Sequence, residues 1–198
     1  MHGPGRVIPF SFDLSSLVRR SVASLYSHLV TRPTGRALRL GIESQIGEIG
    51  SVCLSVLDFT QVVVLDYSCA DEAVAKLIQR YQAADRPADA YFVARGLGEQ
   101  HRFPIDEVLN RHHLALVAEV EGSFVLLGSA TALERAAWEA LQQLRLAGAP
   151  EIAAELKVHE PAVAEALDHL AQRRVVLRRE TPIAYFSLTT LIPEAPAS

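Results

Sequence analysis

At 198 residues, 49% of them hydrophobic, 21% charged and with a net charge of −4, the chain has ample apolar material for one large or two small packed domains, which excludes a wholly disordered protein. The charge divides evenly, with 12 Lys/Arg against 14 Asp/Glu through residue 129 and 7 against 9 beyond it, so neither part has the basic excess of a strong nucleic-acid binder. No run reaches the roughly 18 uninterrupted apolar residues of a membrane helix, and Met1–Arg6 offers no apolar signal core, so a cytoplasmic protein without a membrane partner is expected.

In chain order, Val7–Phe12 alternates like a short strand. Leu17, Val18, Val22, Leu25 and Leu29 recur at spacings of three and four, which predicts a helix over Ser16–Val30 capped by Asp13 or Ser15. Arg32-Pro33-Thr34-Gly35 punctuates, and a second helix is predicted over Arg36–Ile46 with Leu38, Ile42 and Ile46 on one face. Ser51–Asp58 alternates as a strand. Ser68 then caps a helix to about Ala83, with Asp71 as reciprocal partner in its first turn and Ala70, Val74, Leu77, Ile78 and Tyr81 as the inner stripe. Ala90–Ala94 is a strand, Gly96-Leu97-Gly98 a loop, Ile105–Arg111 a short helix, and Leu114–Glu119 and Ser123–Leu127 two further strands. Strands interleaved with helices predict an α/β domain with a largely parallel sheet through residue 128.

From Thr131 the rhythm is helical. Leu133, Ala137, Leu141 and Leu144 mark a helix that Gly148 and Pro150 close. A short helix Glu151–Leu156, a turn Lys157–His159 and a longer helix Pro161–Arg173 follow. Val175–Arg179 and Ala184–Leu188 flank Glu180-Thr181-Pro182 as a hairpin. This order predicts a small α+β winged-helix-type domain over residues 129–198.

Chemistry-bearing clusters are sparse. Cys53 and Cys69 are too few for a disulfide framework or for zinc, which takes three or four ligands, so both are expected as buried, reduced thiols. His112-His113 point apart and have no third ligand nearby. Gly96-Leu97-Gly98 falls short of a nucleotide fingerprint. Arg95, His101 and Arg102 beside it leave open a small anion- or ligand-binding role. Asp58 and Asp66 end strands, where acids often act, but no nucleophile–base pair is visible. No catalytic residue, metal or cofactor is expected.

The segment Leu57-Asp58-Phe59-Thr60-Gln61-Val62-Val63-Val64-Leu65-Asp66-Tyr67-Ser68 resembles the core of the STAS family, named for sulfate transporters and anti-sigma-factor antagonists. The continuation Ser68-Cys69-Ala70-Asp71-Glu72 is similar to an uncharacterised STAS-like subfamily, and the resemblance covers about residues 50–128. It implies a STAS-like sheet with helices and a regulator that works by associating with a protein partner. Asp66, Tyr67, Ser68 and Asp71 would form the modification or partner surface. In anti-sigma-factor antagonists a kinase phosphorylates the serine directly after the Asp; here that position is Tyr67, and Ser68 matches the second serine. Ser68 therefore stands either as a helix cap or as an acceptor whose phosphate Asp66, Asp71 and Glu72 would repel.

Ile152, Ala153 and Leu156, then Val163, Ala166, Leu167 and Leu170, resemble the helix-turn-helix of bacterial winged-helix regulators. That resemblance implies a DNA-binding role, with dimerisation as a further expectation. The exposed positions of the second helix, His159, Glu160, Ala162, Glu165, Asp168 and His169, are poor base readers. Arg173, Arg174, Arg178 and Arg179 stand either as phosphate contacts or as a solvated basic edge.

Overall fold

The computed structural model describes residues 18–192, so the strand expected over Val7–Phe12 lies outside the described residues. The fold is mixed α/β with a mostly parallel central sheet. The first strand is β1 (Arg19–Ser24), followed by a two-residue strand β2 (His28–Leu29) and helix α1 (Arg32–Ile49). Strand β3 (Cys53–Asp58) leads through β4 (Val64–Leu65) into one continuous helical rod. The rod is α2 (Tyr67–Ala70), a wider π-turn (Asp71–Ala75) and α3 (Lys76–Gln82). Then come β5 (Ala90–Leu97), α4 (Glu99–Arg111) and the hairpin β6 (Ala115–Val120) and β7 (Ser123–Gly128).

The helix predicted over Ser16–Val30 is not formed among the described residues. Ser21-Val22-Ala23-Ser24 pairs in parallel with Ser55–Asp58 instead, and Val22 is exposed while Ser21 and Ala23 are buried. Leu25 and Leu29 are buried as their spacing required, but a strand, a bend and a second strand deliver them inward. Small and β-branched residues suit a pleat, and sheet pairing overrides a periodicity that both states can satisfy.

Helix α1 starts four residues before the expected Arg36. Thr31 accepts the Thr34 N–H at 3.2 Å and Pro33 fits the first turn, so the apparent punctuation is a cap. Gly35 lies against the rod, where an added Cβ would come within 2.8 Å of the Cys69 carbonyl. The rod's cap is Asp66, not Ser68. The Asp66 Oδ1 accepts the Cys69 N–H at 2.7 Å and the Ser68 hydroxyl at 2.9 Å, while Asp71 sits a full turn inside.

Gly96-Leu97-Gly98 is likewise no separate loop. β5 runs through Leu97, and Gly98 caps α4 with its N–H donated to His101 Nδ1 at 3.2 Å. α4 therefore begins six residues before the expected Ile105, with Pro104 inside it.

The central sheet has the order β1-β3-β5-β6-β7, with only β7 antiparallel to its neighbour. Strands laid down in one direction with right-handed crossovers put α1, the rod and α4 on a single face. Cys53, Leu57, Phe92, Ala94, Leu116 and Ala118 pack against those helices. The opposite face, with Leu54, Val93, Ala115, Val117 and Leu126, is covered by the C-terminal part of the chain.

That part runs α5 (Ala132–Leu144), β8 (Leu146–Ala147), α6 (Ala149–Leu156), α7 (Glu160–Gln172), β9 (Val176–Glu180) and β10 (Ile183–Ser187). Its small sheet has the order β8-β10-β9. Gly148 and Pro150 do not close α5; Arg145 ends it at φ 65°, and Gly148 caps α6 with Pro150 in the first turn. Ala137, Trp138 and Leu141 of α5 share one apolar cluster with the sheet, with Val163, Leu167 and Leu170 of α7, and with Val175 and Val176. The C-terminal elements thus form the second layer of the sheet.

Candidate partner-binding surface

The loops after β3 and β5 end at the carboxyl edge of the parallel strands, the edge where open α/β sheets place their sites. Asp58, at the end of β3, is committed there to structure. Its Oδ1 accepts the Thr60 N–H at 3.0 Å and its Oδ2 accepts Arg95 Nη2 at 2.7 Å. Burial acts to raise the Asp58 pKa, but the Thr60 and Arg95 donors outweigh it and hold the carboxyl below its ordinary value.

Arg95 is therefore tied to Asp58. His101 is buried beneath the loop, and burial pushes its pKa below the usual histidine value. Arg102 faces outward to Glu99 at 3.2 Å. Arg95, His101 and Arg102 thus each make a separate contact, with Asp58, Gly98 and Glu99 respectively.

The motif residues separate by role. Asp66 is the cap and Ser68 donates to it. Tyr67 is 43% exposed and lies edge-to-face on Phe103 of α4, ring centroids 6.2 Å apart. Asp71 is turned inward as a cross-link: Oδ1 meets His112 Nε2 at 2.7 Å and Oδ2 accepts Arg32 Nη1 at 3.0 Å. Glu72, buried beside it, is shared by Arg32 at 3.0 Å, Arg39 at 3.7 Å and Lys76.

For Asp71, desolvation acts upward, but His112 and Arg32 hold its pKa below the ordinary value. For Glu72 the Lys76 ammonium is the main cause of a lowered pKa. This ion network binds α1, the rod and α4 together at the π-turn, a type of helix defect that recurs at functional sites.

Around Tyr67 lies what the sequence did not single out. Tyr26, Val30, Val63, Val64 and Phe103 are all exposed large apolar side chains, from 41% for Val64 to 68% for Phe103. They come from neighbouring segments. β2 pairs with β4, Val63 N–H and Val64 N–H both donate to the Ser27 carbonyl, and α4 packs on β4 and α2. The result is a group of exposed apolar side chains that includes Tyr67, with Tyr26, Val30 and Val63 in the connections beside β2 and β4. Its only signal in sequence is a surplus of apolar residues in segments too short to bury them all.

At the far end of the sheet, the four arginines that stood either as phosphate contacts or as a solvated basic edge have partners within the chain. Arg173 Nη2 donates to the His113 carbonyl at 2.9 Å, and Nη1 reaches the buried Glu134 at 3.4 Å. Arg174 bonds the Ala90 carbonyl at 2.7 Å and Asp89 at 2.9 Å, with its guanidinium 4.3 Å from the Tyr91 ring centroid. Arg178 pairs with Asp168 at 3.1 Å and with Glu180. Arg179 lies over Phe186 and donates to the Pro182 carbonyl at 3.2 Å.

On the outer face of α6 and α7, Glu151, Glu155, Glu160 and Glu165 are exposed. An open cleft of about 420 Å³ beside α7 is lined by Thr131, Glu134, His169, Gln172 and Arg173. Glu134 there accepts the Thr131 N–H at 2.7 Å as the α5 capping box.

Both cysteines are buried and free, and burial pushes each thiol up to about 11, which leaves them unreactive at neutral pH. Among the described residues no three His, Cys, Asp or Glu side chains converge as a metal site. No described helix is long and apolar enough to cross a membrane. Set against known protein families and curated proteins, the chain matches no family model and no curated sequence.

Proposed function

We propose that the chain is a non-enzymatic, cytoplasmic bacterial regulatory protein that acts by protein–protein association. Residues 1–128 supply a STAS-like scaffold, and residues 129–198 form a winged-helix-type module packed on its sheet. The observation that carries this reading is the exposed apolar surface of Tyr26, Val30, Val63, Val64, Tyr67 and Phe103 around the motif turn. Large apolar side chains exposed together mark a docking face. Tyr67, an aromatic in the phosphoserine position, supplies contact area where relatives by motif carry a charge switch. Phe103→Glu puts a charge beside Tyr67 on that face and abolishes partner capture in a pull-down while leaving the melting temperature unchanged. Capture undiminished by that substitution contradicts the reading.

A second reading, a DNA-binding transcription regulator, is favoured by the element order helix, strand, helix, helix, hairpin over residues 132–187. Charge weighs against it. The outer face of α6 and α7 carries Glu151, Glu155, Glu160 and Glu165, and each of the four arginines already has a partner within the chain. A mobility shift at low salt that Arg178→Ala and Arg179→Ala remove favours DNA; no shift at low salt eliminates it.

A further inference from the structure

The rod Tyr67–Gln82 runs from the motif turn to the C-terminal layer, and α4 runs beside it, from Phe103 against Tyr67 to His113, whose carbonyl also accepts from Arg173. The rod's first turn carries Tyr67 and the Asp66 cap. At its last residue, Gln82 Nε2 donates to the Arg173 carbonyl at 2.8 Å. Arg173 is the residue on which α7 ends. At 1.5 Å per residue the rod spans about 24 Å.

Arg173 and Arg174 are also where polar ties between the C-terminal layer and the sheet concentrate, through His113, Ala90 and Asp89. Two of the residues at this seam, Arg174 at φ 59° and His113 at φ 55°, hold left-handed backbone that side chains other than glycine seldom adopt. The seam is thus a strained clamp that bonds the base of α7 to the end of the rod.

Midway along the rod is the π-turn. A π-turn differs from an α-turn by one inserted residue, so moving or resolving it displaces one side of the helix by about 1.5 Å. Here it spans Asp71–Ala75, held on one side by the Arg32–Asp71–His112 contacts and on the other by Arg39, Glu72 and Lys76. Shifts of 1–2 Å are the usual scale of helix-borne switching.

The geometry points to the rod as a conformational link: displacement of its Tyr67 end is passed through the π-turn and the Gln82–Arg173 bond to the base of α7. The link rests on the docking reading only for its natural input, since the coupling itself belongs to the isolated chain.

Hydrogen–deuterium exchange on the full chain tests it. Asp66→Ala removes the cap at one end. Exchange is expected to rise at residues 67–75 and, about fivefold, at residues 170–176, the lower end of common coupling strengths. In the Asp66→Ala, Gln82→Met double variant the rise at 67–75 persists and the rise at 170–176 is lost. Gly35→Ala, which presses on the Cys69 carbonyl, serves as the perturbation if Asp66→Ala does not fold. Proximal change without distal change overturns the proposal, as does a distal change that survives Gln82→Met. If Phe103→Glu leaves partner capture intact while the exchange coupling holds, the docking reading fails and the link stands.

Discussion

Single side chains decide which parts of the motif are surface and which are scaffold. Asp66 satisfies two donors of the rod's first turn, so Asp66→Ala is expected to cost about 1 kcal/mol in denaturant unfolding. Ser68→Ala removes only a hydroxyl that donates to that same cap and costs less. Asp71 and Glu72 hold pKa values below their ordinary ones because His112, Arg32 and Lys76 donate to them. A carboxylate whose folded pKa is depressed stabilises the fold above its unfolded pKa, about 4. That contribution is lost as pH falls through the folded value. Unfolding followed between pH 3 and 6 should therefore show stability falling with acidification. Glu72→Gln should be less stable at neutral pH and flatter in its pH dependence; an unchanged slope would assign the acid sensitivity elsewhere.

These roles were partly legible in sequence. The cluster of Asp, Tyr, Ser and Asp at a helix start was visible, but Asp66 and Ser68 are equally good caps by type. Only the backbone chooses, by placing Asp66 in extended conformation at φ −96° and ψ 164°. The ion network was not legible because its members come from residues 32 to 112.

At the scale of elements, the rod and α1 form one unit. Gly35 permits their backbones to approach, and Gly35→Ala is expected to destabilise by at least the 1–3 kcal/mol typical of overpacking, read as a lowered melting temperature. Retention of the wild-type melting temperature would show that the rod can slide without penalty.

The inner stripe Ala70, Val74, Leu77, Ile78 and Tyr81 is buried as its spacing demanded, through the π-turn. Sequence failed instead where a spacing fits two states. Val18, Val22, Leu25 and Leu29 lie three or four apart, yet Val22 is exposed and the others reach the core from strand and bend. Gly98 and Gly148 were misread for a related reason: a glycine between elements caps a following helix as readily as it ends a preceding one.

For the whole molecule, the strands alternate between two buried faces rather than between core and water. β3, β5 and β6 read as near-continuous apolar runs, which is what two covered faces require. The change of rhythm near residue 129 was legible; that the second part covers the sheet was not, because apolar alternation does not say which layer meets it. Two consequences follow. Trp138→Ala, in the α5–sheet contact, is expected to cost about 3–5 kcal/mol. The fragment 1–128 leaves Leu54, Val93, Ala115 and Val117 uncovered and should aggregate or fail to give a cooperative unfolding transition. A soluble, cooperatively folding fragment would show that the layers are independent.

The docking claim and the DNA alternative place function at opposite ends of this molecule, and one comparison separates them. Partner capture is measured side by side for the wild-type chain, Phe103→Glu and Arg178→Ala, with melting temperature as the folding control. The account predicts that Phe103→Glu abolishes capture and Arg178→Ala leaves it intact. Capture that survives Phe103→Glu but is lost with Arg178→Ala contradicts it.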